Sequence, residues 1–215
     1  LTRKTSSKIL MVVIDGLGGY FDNTTNKSEL EDAVTPNLDK LANESACGLS
    51  IPVEHGITPG SGPGHLALFG YDPIKYQVGR GVLEALGLGL ELNANQIAIR
   101  GNFAISGSDG VITDRRANRI TSKVSSSLVK KLTDISVTDF KTDVQLIRDH
   151  RFLLVLTGEN KVPNYYPFVS DTDPGLNGLK SLTSEPTYPE TTIIANAINS
   201  FVSQSRDLLK DNQKN

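Results

Sequence analysis

Residues 55–73 read HGITPGSGPGHLALFGYDP, three prolines and five glycines that run straight into the apolar stretch HLALF. The pattern predicts a tight loop that opens a short helix near Pro63, because proline is favoured in a first helical turn. Ser61 stands in that loop between Gly60 and Gly62. A serine at a helix start lies among backbone N–H groups that have no intrahelical partner and can hold an anion. Flanking glycines remove side chains that would block close approach. The positive end of the helix dipole favours an alkoxide, and later a phosphate ester, on the serine oxygen. A serine hydroxyl needs a base or a metal to become a nucleophile. No histidine adjoins Ser61 as in a nucleophile elbow, so a metal is the better activator. The plainer reading is a serine that caps a helix. A Walker-type loop is a poor match, since no Gly-Lys-Ser/Thr follows.

Upstream, KILMVVI (8–14) is a continuous apolar run ending at Asp15-Gly16. Such a run predicts a strand covered on both faces in a parallel α/β sheet, with Asp15 at its carboxyl end, where open sheets place ligand chemistry. Asp15 can equally be a turn residue. TPNLDKLANESACG (35–48) predicts a helix capped by Thr35 and stopped at Gly48. GLSIPV (48–53) predicts a short strand. GVLEALGLGLEL (81–92) predicts a helix closed at Gly87.

From about residue 93 the texture changes to a smaller α+β pattern. QIAIRGNFAI and GVITDRR are β segments around the turn signal SGSDG. SKVSSSLVKKL (122–132) has helical spacing, while ISVTDF (135–140) and RFLLVLTG (151–158) predict strands. Residues 159–188 form a long polar, proline-rich loop, and Pro189 starts a long amphipathic helix. This region gathers Arg100, Arg115, Arg116 and Arg119, and Arg80 precedes it between glycines. Arginine grips phosphate and carboxylate with a planar fork, so these residues are candidates for a local anion cradle. Asp171 and Asp173 in SDTDPG can turn the chain, or clamp an arginine or a substrate hydroxyl. His65 shares a helix face with Ser61 and is a candidate substrate contact or a half-buried side chain.

The 215 residues carry 22 Lys+Arg against 24 Asp+Glu, a net charge of -2, which argues against general nucleic-acid binding. A single cysteine excludes an internal disulfide framework and fits a reducing compartment. The longest apolar run is too short to span a bilayer. The expectation is a cytoplasmic protein with a small-molecule ligand, no nucleic-acid partner and no membrane partner.

The segments VVIDGLGG, TPNLDKLA, TPGSGPGHLALFGYDP, GRGVLEALGLGLEL, AIRGNFA, DRRANRI and VSDTDPG occur in that order. Together they resemble the alkaline phosphatase superfamily, and within it the archaeal-type phosphoglycerate mutases that need no bisphosphoglycerate. The resemblance implies an α/β fold: a phosphatase-like parallel-sheet domain, incomplete here, with an inserted smaller α+β domain. It places the metal domain at 1–92, the substrate-binding insertion at 93–186, and a helix returning to the metal domain at 187–215. It implies interconversion of 3-phosphoglycerate and 2-phosphoglycerate through a phosphoserine on Ser61. Two divalent ions (Mn2+, Zn2+ or Mg2+) would support this, with Asp15 and Ser61 as metal ligands. Arg100, Asn102, Arg115, Arg116, Arg119, His65 and Asp171 would hold the substrate. Family members are longer, and their later Asp and His ligands have no counterpart here. The expectation is therefore the N-terminal portion of the enzyme, weak in metal binding and inactive by itself. The alternatives are another phosphotransferase or phosphate-ester hydrolase on this scaffold, or a non-catalytic protein that binds a metabolite or a subunit.

Overall fold

The computed structural model describes residues 4–14, 16–17, 19–57, 59–162 and 168–214. The chain divides into two units, Leu1–Ser50 and Ile51–Asn215. In the first, strands β1 (Phe21–Asp22) and β2 (Lys27–Ser28) form a small antiparallel hairpin. Helix α1 (Glu29–Asp32) follows at once, started by a capping box. The Ser28 hydroxyl accepts from the Glu31 N–H at 3.2 Å, and the Glu31 carboxylate accepts from the Ser28 N–H at 2.8 Å. Helix α2 (Pro36–Glu44) has proline in its first turn, as the sequence predicts, but it ends before Gly48. Its N-cap Thr35 makes no side-chain cap; the hydroxyl instead donates to Asp39 at 3.0 Å.

The run 8–14 corrects the expectation of a strand. It has no regular structure, and its side chains are exposed, from 47% at Ile14 to 96% at Ile9. A strand buried on both faces exists only where neighbours supply hydrogen bonds and cover, and among the described residues no strand pairs with this run. Residues 48–53 likewise form no strand. The parallel sheet expected here does not appear among the described residues, where every strand pairing is antiparallel.

The second unit begins with α3 (Ser61–Leu68) and α4 (Arg80–Gly87). Strand β3 (Gln96–Asn102) follows, then the hairpin of β4 (Ile105–Ser106) and β5 (Ile112–Asp114), which turns at Gly110 with φ 79°. Helix α5 (Ser122–Leu132) occupies the predicted span. Residues 135–140, expected as a strand, make a turn closed by a single bridge between Val137 and Phe140. The strand lies just beyond, as β6 (Lys141–Arg148), paired with β7 (Arg151–Thr157). Helix α6 (Thr192–Leu209) starts behind a short 3-10 turn at Pro189.

Strand β7 is the middle of a three-stranded antiparallel sheet, ordered β3-β7-β6. Its uninterrupted apolar run FLLVL is explained by burial on both faces. Phe152, Leu154 and Leu156 pack with α5 and α6 through Val129, Leu132, Ile194, Ile198 and Phe201. Leu153 and Val155 point the other way, into a smaller cluster with Ala85 of α4. Each such buried aliphatic side chain stabilises the fold by about 1.5–3 kcal/mol. Residues 51–92 share a unit with all that follows, and α6 packs in the core of that same unit.

Two glycines permit the close approaches. A Cβ on Gly81 of α4 would sit 1.9 Å from the Ala98 carbonyl oxygen of β3, and one on Gly101 would sit 2.2 Å from Phe152 Cζ. The first obstacle is backbone and cannot rotate away. Gly81→Ala is expected to lower unfolding stability by at least about 2 kcal/mol in urea titration. Gly87→Ala, in the same helix with open space around the added carbon, should be neutral or stabilising by up to about 1 kcal/mol. Equal effects at the two positions would show that the α4–β3 contact is not tight.

Candidate active site: an arginine-lined cavity at the start of α3

Ser61 is the first residue of α3, with Gly60 as N-cap in an extended conformation. The first backbone bond of this helix runs from the Gly64 N–H to the Gly60 carbonyl at 2.9 Å. The N–H groups of Ser61 and Gly62 precede it and face the helix entrance. A Cβ on Gly60 would lie 3.8 Å from Arg80 Nη2, so that guanidinium sits beside the helix start.

A cavity of about 430 Å³ opens there. Ser61, Gly62, Arg80, Leu83 and Glu84 contribute from α3 and α4, and Arg100 and Asn102 from the end of β3. Arg115, Arg116, His150, Arg151 and Asp173 complete the wall, so five arginines face two carboxylates. Each arginine is held differently. Arg100 has a side chain only 20% exposed, and its ion pair with Glu84 is long at 3.7 Å. Burial, with the like charges of Arg80 and Arg151, pulls its pKa down, and Glu84 offsets this only partly. Such a cation gains from an incoming anion.

Arg115 is fixed by a two-point pair with Asp173: Nε donates to Oδ1 at 2.6 Å and Nη2 to Oδ2 at 2.7 Å. Its Nη1 also donates to the Gly175 carbonyl. The guanidinium, with the Gly175 N–H, holds the Asp173 carboxyl below the usual carboxylate range, and Asp173 raises Arg115 in turn. Arg116 precedes a left-handed turn in which Ala117, Asn118 and Arg119 have φ of 46°, 50° and 52°. Such backbone costs about 1–2 kcal/mol per residue. The Asp114 carboxylate offsets part of it, accepting from the Arg116 N–H at 2.7 Å and the Asn118 N–H at 2.8 Å. Those two bonds lower its pKa.

The structure gathers Ser61, Arg100, Asn102, Arg115 and Arg116 on one cavity, and it gathers the others differently. Asp171 is exposed and does not line the cavity, whereas Asp173 does. Arg119 is not among the residues that line the cavity. His65 lines an adjoining apolar hollow of about 330 Å³ that shares Ser61, Gly62 and Leu83 with the arginine cavity, and its Nδ1 donates to the Ser61 carbonyl at 2.6 Å. Asp15 falls outside the described residues. Sequence reasoning missed His150 and Arg151; the signal was the polar pair that immediately precedes the apolar run of β7.

Two divalent metals need several carboxylate, imidazole or hydroxyl donors each. Among the described residues no group of three or more His, Cys, Asp or Glu could hold a metal ion. The described donor set does not fit a two-metal centre. What the cavity can do unaided is hold an anion of small size against Ser61. No helix among the described residues is long and apolar enough to cross a membrane.

A family model described as 2,3-bisphosphoglycerate-independent phosphoglycerate mutase matches residues 42–215. A Thermus thermophilus protein named as a probable mutase of that type is 45% identical over 213 residues, covering 98% of this chain and 52% of its own length. One from Aquifex aeolicus is 42% identical over 219 residues, covering 100% and 54%. The chain thus spans about half the length of the curated relatives it matches. Among solved structures, the cofactor-independent phosphoglycerate mutase from Thermoplasma acidophilum aligns at TM-score 0.54 and 35% identity, over 68% of this chain and 39% of that one. A Pyrococcus horikoshii protein aligns at TM-score 0.60 and 25% identity, over 91% and 42%.

The Arg115–Asp173 pair predicts a pH signature. A carboxyl depressed in the folded state contributes stability above its unfolded value of about 4, and loses it as pH falls through the folded value. Asp173→Asn should therefore be less stable than the wild type at neutral pH, with the gap closing in acid. A gap independent of pH would show that the pair contributes nothing through ionisation.

Proposed function

The chain belongs to the family of 2,3-bisphosphoglycerate-independent phosphoglycerate mutases, and on that premise we propose that it carries the nucleophile and substrate cradle for interconverting 3-phosphoglycerate and 2-phosphoglycerate. The observation that carries the reading is the shared cavity: Ser61 at a helix start and five arginines around one anion-sized space. The substrate offers a phosphate and a carboxylate on three carbons. Arginines on three elements and on the turn after β5 can grip both at once.

In the proposed mechanism the Ser61 oxygen attacks phosphorus, the bond to the 3-oxygen breaks, and the serine proton ends on that oxygen. Glycerate reorients without leaving the arginines. Its 2-hydroxyl then attacks the phosphoserine, and the proton it loses returns to Ser61. Guanidinium groups offset the charge on the transferring oxygens throughout. Keeping water away during reorientation separates a mutase from a hydrolase. Arg80, beside the helix start, and Arg100, short of counter-charge, are the proposed phosphate contacts.

The family resemblance further implies two divalent ions, with Asp15 and Ser61 among their ligands. We propose that the remaining donors, and cover for the exposed run 8–14, come from the part of the family length that this chain does not span. The parallel-sheet metal domain with its inserted domain, a role in glycolysis and a cytoplasmic location belong to the same proposal. For the 215-residue chain alone, a cavity whose lining lies within 51–215 and, among the described residues, lacks a metal-holding group favours binding without turnover.

The test uses a family-length protein carrying this sequence, supplied with manganese and 3-phosphoglycerate labelled on phosphate. Label is expected on Ser61, with 2-phosphoglycerate as product. Ser61→Ala should lose the labelled enzyme and at least about a thousandfold of the rate. Release of free phosphate with no isomer would instead make the protein a hydrolase.

A further inference from the structure

His150 sits in the tight turn between β6 and β7, and three contacts pin that turn. The Asp149 N–H donates to Ser122 Oγ at 2.9 Å, the fully buried Ser125 hydroxyl donates to the Asp149 carbonyl, and the Phe103 N–H donates to the His150 carbonyl at 2.8 Å. Asp149 itself is held at φ 52°. The turn is thus fixed to α5 on one side and to the end of β3 on the other. His150 is 7% exposed and lines the arginine cavity. Its Nδ1 is buried and has no hydrogen-bond partner.

A buried ring nitrogen without a partner is tolerable as a bare lone pair and costly as an N–H. Its surroundings favour the neutral form. Arg151 lies next to it on β7, Arg116 and Arg119 face it from the turn after β5, and Asp149 and Asp114 oppose them. Burial first, and then these guanidiniums, hold its pKa below the ordinary histidine value. An anion in the cavity would act against the local positive field, and where the ring lines the cavity its oxygens can accept from an imidazolium N–H.

We propose that His150 is the proton-linked contact of the cavity: a bound anion is hydrogen-bonded by the His150 imidazolium, and binding draws one proton from solvent onto the ring. The ring takes the proton onto a lone pair, and the imidazolium donates to a ligand oxygen from the part of the ring that lines the cavity. This rests on the reading of the cavity as a phosphoglycerate site, and adds that its occupancy is coupled to pH. The complex holds one more proton than the free protein. Affinity therefore rises as pH falls, by up to about tenfold per unit, until the empty protein also protonates.

Sulfate is the cleaner probe, because it stays a dianion where histidine titrates, whereas a phosphate monoester itself protonates near about pH 6. Calorimetric titration of the chain with sulfate and with 3-phosphoglycerate, in two buffers of different ionisation enthalpy, counts the protons. The expected result is uptake approaching one proton per sulfate in the wild type and none in His150→Gln. The wild-type His150 ring resonances, followed by NMR, should titrate at higher pH with sulfate than without. This second readout does not depend on the variant folding. Binding of both anions with no uptake and no shift in the ring titration overturns the proposal and leaves the phosphoglycerate reading standing. Proton-linked binding of sulfate with no preference for 3-phosphoglycerate supports the proposal and counts against that reading. Failure to bind either anion removes both.

Discussion

Burial of β7 on both faces is the constraint from which the second unit follows. Because Leu153 and Val155 must be covered on one side and Phe152, Leu154 and Leu156 on the other, α4 and the α5–α6 pair take opposite faces of one sheet. The α4 side admits only glycine at position 81 against the Ala98 backbone. That close approach brings Arg80 and Glu84 of α4 to the β3 edge, where Arg100 emerges. The same strand begins at Arg151, directly after the pinned turn that carries His150. The packing of an apolar core thereby sets the positions of the charged groups.

Those charged groups do not balance one another. Arg115 has a full partner in Asp173, Arg100 has half of one in Glu84, and Arg80, Arg116 and Arg151 face the same space. A folded protein that concentrates cations in a small concave site stabilises it by binding an anion there, and otherwise bears the repulsion. The left-handed turn at 117–119 points the same way. Its backbone is unfavourable for three consecutive non-glycine residues, and Asp114 is committed to holding it. Local strain of this kind marks places where side-chain position matters more than stability.

Much of this was legible in the sequence, and the parts that were not have physical reasons. Ser61 at a helix start, the span of α5, the hairpin at SGSDG and the strand 151–157 follow from turn residues, caps and apolar spacing, which act locally. The arginines could be named but not grouped, since Arg80, Arg100, Arg115 and Arg151 meet only through tertiary packing. Asp173 rather than Asp171 faces the cavity, because the choice depends on which carboxylate reaches Arg115. His150 carries no local motif. The run 8–14 shows the opposite failure. Its composition suits a doubly covered strand, but composition cannot supply neighbours, and among the described residues it has none. Strand β6 escapes a sequence reading because its half-exposed polar residues hide the alternation.

The central claim is that the arginine cavity within 51–215 recognises phosphoglycerate. The most direct measurement is an NMR titration of the isotopically labelled 215-residue chain with 3-phosphoglycerate, following backbone amides and arginine side-chain signals together. The account predicts saturable shifts confined to the start of α3, Arg80, the end of β3, the turn after β5 and the turn before β7. Shifts scattered over surface lysines, or none at concentrations that saturate, would contradict it.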